Sequence, residues 1–553
     1  MTESQKTVAE FLVTCLEVEG VEYMFGIPGE ENIHLVDATA GSGVRFILTR
    51  HEQAAAFMAD IYGRLTGKAG VCTATLGPGA INLLLGVADA QTDSTPLIAI
   101  TAQVGLNRIF KESHQIVDLV SMFKPVTKWA DTLLTPQAAP EMMRKAFDVA
   151  QAERPGAVYL AIPEDVEAST MPVDLVPLKG PPYHAAGADP DQVAAAVSLI
   201  RKAKRPILLA GHGVARATAS EPLVRLAEAW NLPVATTFMA KGVIPDRHPN
   251  ALGVVGFMRH DYENFAFDEA DLILAIGYEL QEFAPTRINP HRDKTIIHVH
   301  RFAAETDAAY PVSVSIEADI GRSIDALMAA FKQRTPPVSP PEPKIRALRE
   351  DELKSGERDN SFPLKPQRVV ADIRKALNDE DIVLVDTGAL KMWMARLYPT
   401  QRPLTCLISN GLSTMAFALP GAIGAKLARP DRKILSAMGD GAFLMNSQEI
   451  ETAIRERIPL KILIWVDGSY GLIKWKMDME FGYHRDVDFG NPDFVAYAES
   501  FGAKGYRIGA AGELLPTLQQ AVAEDGVSVI ACPVDYRENM KLTDRLGELT
   551  IAL

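Results

Sequence analysis

The apolar residues of this chain follow two patterns that alternate along most of its length. Short continuous runs such as residues 97–102 (LIAITA) are typical of buried strands, whereas spacings of three or four, as at Val8, Leu12 and Cys15, mark one face of a helix. Strands that alternate with helices form parallel sheets covered by helices on both faces, so we predict an α/β fold of doubly wound domains. The chain has 553 residues, more than one domain usually holds, and we expect three domains.

Polar and proline-rich stretches separate the predicted domains. They are an N-terminal domain over residues 1–180, a middle domain over 190–335 and a C-terminal domain over 366–553, with a proline-rich and charged linker at 336–365. The strands predicted in the first two domains are 23–25, 46–49, 70–75, 97–102, 157–162, 207–210, 233–236, 272–276 and 295–299.

Two aspartates follow consecutive predicted strands of the C-terminal domain. The run 433–438 (KILSAM) stops at Gly439-Asp440-Gly441, and the run 460–466 (LKILIWV) stops at Asp467. Between them a helix is expected to open at Asn446, with Glu449 completing a capping box. A right-handed crossover brings the carboxyl ends of both strands to one edge of the sheet, where α/β proteins bind ligands.

Two carboxylates at one edge of a sheet would repel each other unless a cation lies between them. Mg²⁺ takes hard oxygen ligands and commonly shares them with phosphates. The sequence therefore suggests a diphosphate bridged by Mg²⁺, with the flanking glycines letting N–H groups approach the anion. A lone Gly-Asp-Gly is more often only a turn, so the motif by itself does not decide the question.

Charge and cysteine content exclude several other classes of protein. A formal net charge of −14 argues against non-specific nucleic-acid binding. The four cysteines (Cys15, Cys72, Cys406 and Cys532) are scattered without metal-ligand spacing, which is typical of reduced thiols in a cytosolic protein. The N-terminus has no apolar signal region, and no apolar run approaches the length of a membrane span, so we expect a cytoplasmic protein.

The spacing of the two aspartates favours the diphosphate interpretation. Asp467 stands 27 positions after Asp440, which resembles the motif of thiamine diphosphate (ThDP) enzymes. Most members carry asparagine at the second position, and an aspartate there resembles the catabolic acetolactate synthase branch. The resemblance implies that Asp440, Asp467 and the backbone carbonyl of Ser469 bind Mg²⁺, while the N–H groups of Gly441 and Ala442 bind the diphosphate. Stretches such as TPLIAIT, MFKPVTKWA and PVDYREN extend the likeness over nearly the whole chain.

Glu52 stands at the predicted start of a helix. Alone, it is most simply a first-turn carboxylate stabilised by the helix dipole. The segment 51–70 (HEQAAAFMADIYGRLTGKAG) resembles the same family along its length. By that resemblance Glu52 is the catalytic glutamate that exchanges a proton with the aminopyrimidine of the cofactor. The other cofactor contacts that the resemblance implies are Pro28, Gly77, Pro78, Asn82, Gly388, Ala389, Leu390, Gly411, Ser413, Met415, Tyr470, Gly471 and Leu472.

The predicted substrate residues leave two activities open. Gln115 and Trp475 match positions near the substrate in acetolactate synthases, which join two pyruvates with loss of CO₂ to give 2-acetolactate. Glu30 instead resembles the loop of pyruvate decarboxylases, where an acid works with a histidine, and His114 could be that histidine. The alternative is therefore a 2-oxo acid decarboxylase, or a carboligase with another acceptor. His114 could equally be a loop histidine, and Trp475 could serve only in packing.

The resemblance also carries expectations about assembly and a second cofactor. It implies a homodimer, often assembled into a homotetramer, in which Glu52 of one chain meets Asp440 of the partner subunit. Gly211 to Arg216 hints at a dinucleotide loop, but Arg216 stands where the fingerprint requires Gly or Ala. The Arg-Phe-Asp-Asp-Arg stretch of FAD-bound acetohydroxyacid synthases has no equivalent after Gly277, so FAD is not expected. A nicotinamide oxidoreductase and a non-catalytic cofactor-binding protein are less favoured alternatives.

Overall fold

Three six-stranded sheets organise the chain, and all paired strands within them run parallel. The computed structural model describes residues 6–180, 186–255, 261–331 and 343–540. Two compact units divide these residues. The first comprises Met1–Tyr183, Leu412–Asp431 and Asn446–Leu460 and holds the first sheet; the second comprises His184–Gly411, Arg432–Met445 and Lys461–Leu553 and holds the other two. The predicted α/β class with parallel sheets is confirmed.

The first sheet has the strand order β2-β1-β3-β4-β6-β5. Its strands are β1 (Tyr23–Gly26), β2 (Arg45–Leu48), β3 (Gly70–Ala74), β4 (Leu97–Gln103), β5 (Trp129–Thr132) and β6 (Ala157–Pro163). Its helices are α1 (Val8–Val18), α2 (Ile33–Ala38), α3 (Glu52–Thr66), α4 (Pro78–Thr92), α5 (Leu119–Phe123), α6 (Ala139–Gln151) and α7 (Glu164–Glu167). The chain winds outwards in both directions from the β1–β3 pair, so the crevice between those two strands is the expected ligand position.

The second sheet has the order β12-β11-β10-β7-β8-β9, with its crevice between β7 and β10. Its strands are β7 (Pro206–Ala210), β8 (Val234–Thr236), β9 (Ala251–Val254), β10 (Leu272–Ile276), β11 (Thr295–His300) and β12 (Val312–Glu317). The accompanying helices are α8 (Pro190–Lys202), α9 (His212–Arg216), α10 (Ser220–Trp230), α11 (Tyr262–Glu269), α12 (Ile320–Ala330) and α13 (Pro343–Glu357).

The third sheet has the order β14-β13-β15-β16-β18-β17, with its crevice between β13 and β15. Its strands are β13 (Ile382–Val385), β14 (Cys406–Ile408), β15 (Ile434–Gly439), β16 (Lys461–Val466), β17 (Lys504–Arg507) and β18 (Ser528–Pro533). The helices of this part of the chain are α14 (Pro366–Ala376), α15 (Ala389–Leu397), α16 (Ala418–Ala428), α17 (Asp440–Asn446), α18 (Glu449–Arg455), α19 (Gly471–Phe481), α20 (Phe494–Ser500) and α21 (Leu514–Ala523). Of these, α16 and α18 belong to the first unit.

One local prediction is wrong. No capping box opens a helix at Asn446: α17 begins directly at Asp440, and the Asn446 side chain instead donates to the carbonyl oxygen of Ala416, at 3.0 Å. The next helix, α18, begins at Glu449 without a side-chain cap. Within the predicted linker, Pro343–Glu357 forms α13, whereas residues 336–342 lie outside the described part of the chain. The domain boundaries stay a prediction.

Helix α3 is closed in by neighbouring backbone. A Cβ atom on Gly70 of β3 would stand 1.9 Å from the carbonyl oxygen of Ala59, and one on Gly424 of α16 would stand 2.4 Å from that of Met58. Both neighbours can approach so closely only because glycine has no Cβ. Every residue of α3 from Ala54 to Leu65 is buried, so the helix that begins at Glu52 has little freedom to move.

The helices of residues 6–180, 186–255, 261–331 and 343–540 are each too short or too polar to cross a membrane.

Candidate functional site

Glu52 is the first residue of α3, at the carboxyl end of β2. His51 caps the helix by accepting, through Nδ1, a hydrogen bond from the N–H of Gln53 at 3.1 Å. The side-chain amide of Asn82, on α4, donates to Oε2 of Glu52 at 2.9 Å. Two residues predicted separately, Glu52 and Asn82, therefore meet at the first sheet, and the helix N-terminus favours a negative charge there.

The turn at Gly77 brings another predicted residue to the same edge. Gly77 has φ +52°, and a Cβ atom on it would stand 2.6 Å from the carbonyl oxygen of Gln115. Gly77 thus lets the segment around Gln115 pack against the start of α4, which begins at Pro78. The side chains of Gln115 and His114 are both exposed.

The loop after β1 carries Pro28 and Glu30, both exposed. The next residue, Glu31, is the one tied to the sheet: its Oε2 accepts a hydrogen bond from the hydroxyl of Thr75 at 2.7 Å, just past the end of β3. Buried Asn32 accepts from the N–H of Gly29 at 2.6 Å. The loop is therefore held at the β1–β3 crevice while Glu30 stays free to face solvent or a ligand.

Ser413 and Met415 lie in an irregular segment of the first unit, before α16. Ser413 and Ala416 have φ values of +55° and +67°, so the backbone bends sharply on either side of Met415. Asn446 anchors this bend through the carbonyl of Ala416. The Met415 side chain is half-buried.

In the second unit, Asp440 lies at the carboxyl end of β15 and collects donors from three loops. Its Oδ1 accepts from the N–H of Gly441 at 2.9 Å, while Oδ2 accepts from the N–H groups of Asp467 and Gly468 at 3.1 and 2.8 Å. The side-chain amide of Asn491 also donates to Oδ2, at 2.8 Å. The two predicted aspartates therefore meet, as the strand order requires, and Asn491 is a member of the site that the sequence did not reveal.

The surroundings of the Asp467 carboxyl group disfavour its ionised form. Burial, and after it the nearby charge of Asp440, raise the pKa of its carboxyl group to about 7. A bound cation would relieve both effects, because it would sit beside two carboxylates that otherwise repel each other.

The residues around Asp467 pack closely at two glycines. A Cβ atom on Gly441 would stand 3.0 Å from the ring of Tyr470 and one on Gly471 would stand 2.7 Å from Oδ2 of Asp467, so both glycines keep this space open. The hydroxyl of Ser469 donates to Asp488 at 2.6 Å. Ala442 is buried on α17, and Leu472 is half-buried on α19.

A cavity of about 410 Å³ adjoins Asp467. Gly471, Trp475 and Tyr536 line it together with Asp467. Trp475 is 6% exposed, and its indole N–H has no acceptor among the described residues. A buried donor without a partner costs free energy.

The loop after β13 also lies at the crevice of the third sheet. Gly388 has φ +148°, and α15 begins at once with Ala389 and Leu390, which are buried. Lys391 is buried too, and its ammonium group donates to the carbonyl oxygen of Ser409 at 2.7 Å. This bond holds the strand end that precedes Gly411, a half-buried residue.

The crevice of the second sheet is closed by its own backbone. A Cβ atom on Gly211 would stand 2.3 Å from the carbonyl oxygen of Gly277, so the loops after β7 and β10 are in contact. Arg216 and Glu279 form an ion pair across the same crevice. The predicted dinucleotide loop therefore faces protein atoms.

Glu282 fills the rest of this crevice. Its carboxyl group is buried and accepts hydrogen bonds from the N–H of His212, at 3.1 Å from either oxygen, and from the hydroxyl of Thr237. Burial, and after it the charge of Glu279, raise the pKa of this carboxyl group to about 8. The Glu282 backbone carbonyl in turn accepts from the side chain of Asn410 at 2.9 Å, which links the second and third sheets.

Comparison with known proteins assigns a family to these domains. Family models for the N-terminal TPP binding domain, the central domain and the C-terminal TPP binding domain of thiamine pyrophosphate enzymes match residues 6–122, 193–327 and 386–532. An acetolactate synthase of Bacillus subtilis is 35% identical over 571 aligned positions, which cover 99% of this chain and 98% of that protein. A catabolic acetolactate synthase of Raoultella terrigena is 35% identical over 549 positions, which cover 97% of each. The chain belongs to the thiamine pyrophosphate enzyme family and, within it, to the acetolactate synthase group.

Proposed function

We propose that this protein is a ThDP- and Mg²⁺-dependent acetolactate synthase, which decarboxylates one pyruvate and joins the remaining two carbons to a second pyruvate. The observation that carries the proposal is the pair Asp440–Asp467 at the third sheet, together with the pair Glu52–Asn82 at the first. We take the reaction from the names of the relatives and assign it to the residues of these two pairs.

The residues at Asp440 fit a metal-bound diphosphate. Asp440 and Asp467 are oxygen donors in an acidic, buried place, and the backbone carbonyl of Ser469 is the third ligand that we assign to Mg²⁺. Gly441 and Ala442 lie in the first turn of α17, which begins at Asp440, and we assign their N–H groups to the diphosphate. Gly388, Ala389 and Leu390 are assigned to the far end of the diphosphate, and Gly411, Tyr470, Gly471 and Leu472 to its surroundings.

Glu52 is assigned to proton transfer. ThDP, when bound, supplies the nucleophilic carbon that attacks pyruvate and keeps its two carbons after CO₂ leaves. Glu52 would hold and pass the proton at the ring nitrogen of the aminopyrimidine, with Asn82 fixing its carboxylate from α4. Pro28, Gly77, Pro78, Ser413 and Met415 are assigned to the same end of the cofactor.

Carboligation requires that the two-carbon unit meet a ketone before it meets a proton. Gln115 can donate a hydrogen bond without giving up a proton, and we assign it with Trp475 to the acceptor pyruvate. Glu30 and His114 are the groups that could protonate the two-carbon unit and release acetaldehyde, as a decarboxylase does. Both side chains are exposed, and the loop is fixed through Glu31 and Asn32 rather than through Glu30.

Product analysis tests this assignment directly. The protein is incubated with ¹³C-labelled pyruvate, ThDP and Mg²⁺, and acetolactate and acetaldehyde are quantified by NMR. We expect mainly acetolactate, and the same ratio in Glu30→Ala. Acetaldehyde as the main wild-type product, shifting towards acetolactate in Glu30→Ala, would make the protein a 2-oxo acid decarboxylase.

The assembly that fits this site is a homodimer, or a homotetramer built from it, with active sites at the dimer interface. Ile81 and Leu85 on α4 are 42% and 41% exposed, beside Asn82. Apolar side chains at this spacing on one helix face favour contact with a second copy of the chain. Four buried free cysteines support a cytoplasmic location.

FAD is not part of the proposed enzyme. The crevice of the second sheet, where a dinucleotide would lie, is closed by the contact of Gly211 with Gly277, the ion pair of Arg216 with Glu279, and the Glu282 carboxyl group. Each of these would have to move before a pyrophosphate could approach the loop after β7.

A further inference from the structure

We propose that Glu449, on α18, is the positioning residue that holds Glu52 in place for proton transfer. This inference rests on the proposed function, because it gives Glu52 its role there. Glu449 belongs to the first unit although it lies in the C-terminal third of the chain, and it contacts the turn that joins β2 to α3.

The contact is a carboxylate bound to consecutive backbone N–H groups. The N–H of Arg50 lies 3.0 and 3.3 Å from Oε1 and Oε2 of Glu449, and the N–H of His51 donates to the same carboxylate. The Thr452 hydroxyl, one turn along α18, donates to Oε2 at 2.7 Å and fixes its rotamer. Glu449 is fully buried, which excludes water as a replacement acceptor.

The N–H groups of Arg50 and His51 are hydrogen-bonded neither within the sheet at β2 nor within helix α3. Thr49 is the last residue whose N–H is bonded to the sheet, at the carbonyl of Gly26, and the His51 side chain serves the N–H of Gln53 inside α3. Glu449 therefore bridges the gap at positions 50 and 51, immediately before Glu52. Successive N–H groups that converge on one anion define a fixed backbone shape.

Two further side chains of α18 hold the same segment. The guanidinium of Arg455 donates to the carbonyl oxygen of Leu48, and Glu456, next to the end of the helix, pairs with Arg45. α18 thus contacts the chain from β2 up to the residue before Glu52. Among the residues that the structure describes, the Glu52 carboxylate accepts a side-chain hydrogen bond from Asn82, and the backbone on the α18 side sets where that carboxylate begins.

Burial raises the pKa of Glu449 to about 7, while its hydrogen bonds from Thr452, Arg50 and His51 act in the opposite direction. A buried acid is costly to a fold, and an apolar residue would pack here without that cost. The acceptors that it supplies to the β2–α3 turn explain why an acid occupies the position.

The test compares Glu449→Ala, Glu449→Gln and a matched control, Glu167→Ala. Glu167 is also a buried acid that accepts a backbone N–H, that of Leu35 at 2.5 Å, and burial raises its pKa to about 7 as well. Both alanine variants should therefore lose similar stability. Only the Glu449 variants should change the surroundings of Glu52.

The first measurement needs no cofactor. Amide hydrogen exchange of the peptide spanning residues 46–57 is followed by mass spectrometry in the cofactor-free protein. Exchange should be faster in Glu449→Ala and unchanged in Glu167→Ala, because only the first variant removes the acceptor of Arg50 and His51. Equal protection in Glu449→Ala and wild type would overturn the proposal.

The second measurement is hydrogen–deuterium exchange at the thiazolium C2 of ThDP bound at saturation. Glu449→Ala should slow it on the order of 10²-fold, as expected for a misplaced acid–base group. Glu449→Gln keeps one oxygen acceptor and should recover most of the rate, and it serves as the decisive variant if Glu449→Ala does not fold. A Glu449→Gln variant slower than Glu449→Ala would contradict a positioning role.

A double variant separates positioning from general destabilisation. If Glu449 acts only through Glu52, adding Glu449→Ala to Glu52→Gln should not slow C2 exchange further, whereas independent effects would multiply. Multiplied effects would refute the proposal. Failure of the proposed ThDP-dependent chemistry is distinguishable, because the wild-type protein would then not accelerate C2 exchange above that of free ThDP.

Discussion

Replacing Gly424 with alanine should force apart the two helices that close the Glu52 side of the site. In α16 the new Cβ would stand 2.4 Å from the carbonyl oxygen of Met58 and 3.0 Å from its Cα. Both atoms are backbone of α3, so no side-chain rotation can relieve the contact. Non-bonded heavy atoms rest at roughly 3.5–4.0 Å, and α16 must therefore move by about 1 Å.

The cost follows from two opposing terms. Because both clashing atoms are fixed backbone, the overpacking lies in the upper half of the usual range and costs about 2–3 kcal/mol, and the better helix propensity of alanine returns about 1 kcal/mol. The free energy of unfolding should therefore fall by about 1–2 kcal/mol. With a slope of roughly 3 kcal/mol per molar urea, the unfolding midpoint should fall by roughly 0.3–0.7 M.

Urea titration followed by circular dichroism measures the shift. Gly321→Ala is the matched control, since Gly321 lies in α12 and its Cβ would meet nothing nearer than 3.4 Å. That variant should be as stable as wild type or slightly more stable. A Gly424→Ala midpoint equal to that of wild type would show that α16 and α3 are not held at the distance described.

Three other predictions concern the site and the second sheet. Asp467→Ala should abolish Mg²⁺-dependent ThDP binding because it removes a charged oxygen ligand, and wild-type affinity by calorimetry would exclude Asp467 as a ligand. Glu52→Gln should keep ThDP binding but lose roughly 10²–10⁴-fold in turnover, since an amide cannot pass the proton; a near-normal turnover number would exclude Glu52 as the proton carrier. Glu282, with its pKa raised from 4.5 to about 8, holds a proton in the folded state that the unfolded chain has lost, so stability should fall as pH rises between these values. Glu282→Gln should flatten that slope in thermal unfolding, and an unchanged slope would contradict the raised pKa.

Buried central strands were the most predictable elements of the fold. The run 272–276 is continuous and apolar, and β10 occupies those residues. The edge strand β2 (Arg45–Leu48) was predicted, but the edge strand β9 (Ala251–Val254) was not, because it is short and its residues show no pattern that separates them from a loop. Strand order was outside the reach of periodicity, because pairing depends on contacts between residues distant in sequence.

Some residues of the candidate site could likewise be predicted from the sequence, and others could not. Asp440 and Asp467 were predictable because each directly follows a strong strand signal. Asn491 was not, because it reaches Asp440 from 51 positions further along the chain and stands in no recognisable motif. Glu449 was noticed for the wrong reason, as a capping residue: its burial and its bond to Arg50 come from packing across 399 positions of sequence.

The closed crevice of the second sheet has a consequence for how this protein depends on its surroundings. A domain that binds a nucleotide gains stability in proportion to the logarithm of the free ligand concentration, and loses it when the ligand is scarce. Here the ion pair of Arg216 with Glu279 and the bonds to Glu282 occupy that place. Under the proposal that the enzyme carries no FAD, the stability of the middle domain should not change with the concentration of free nucleotide.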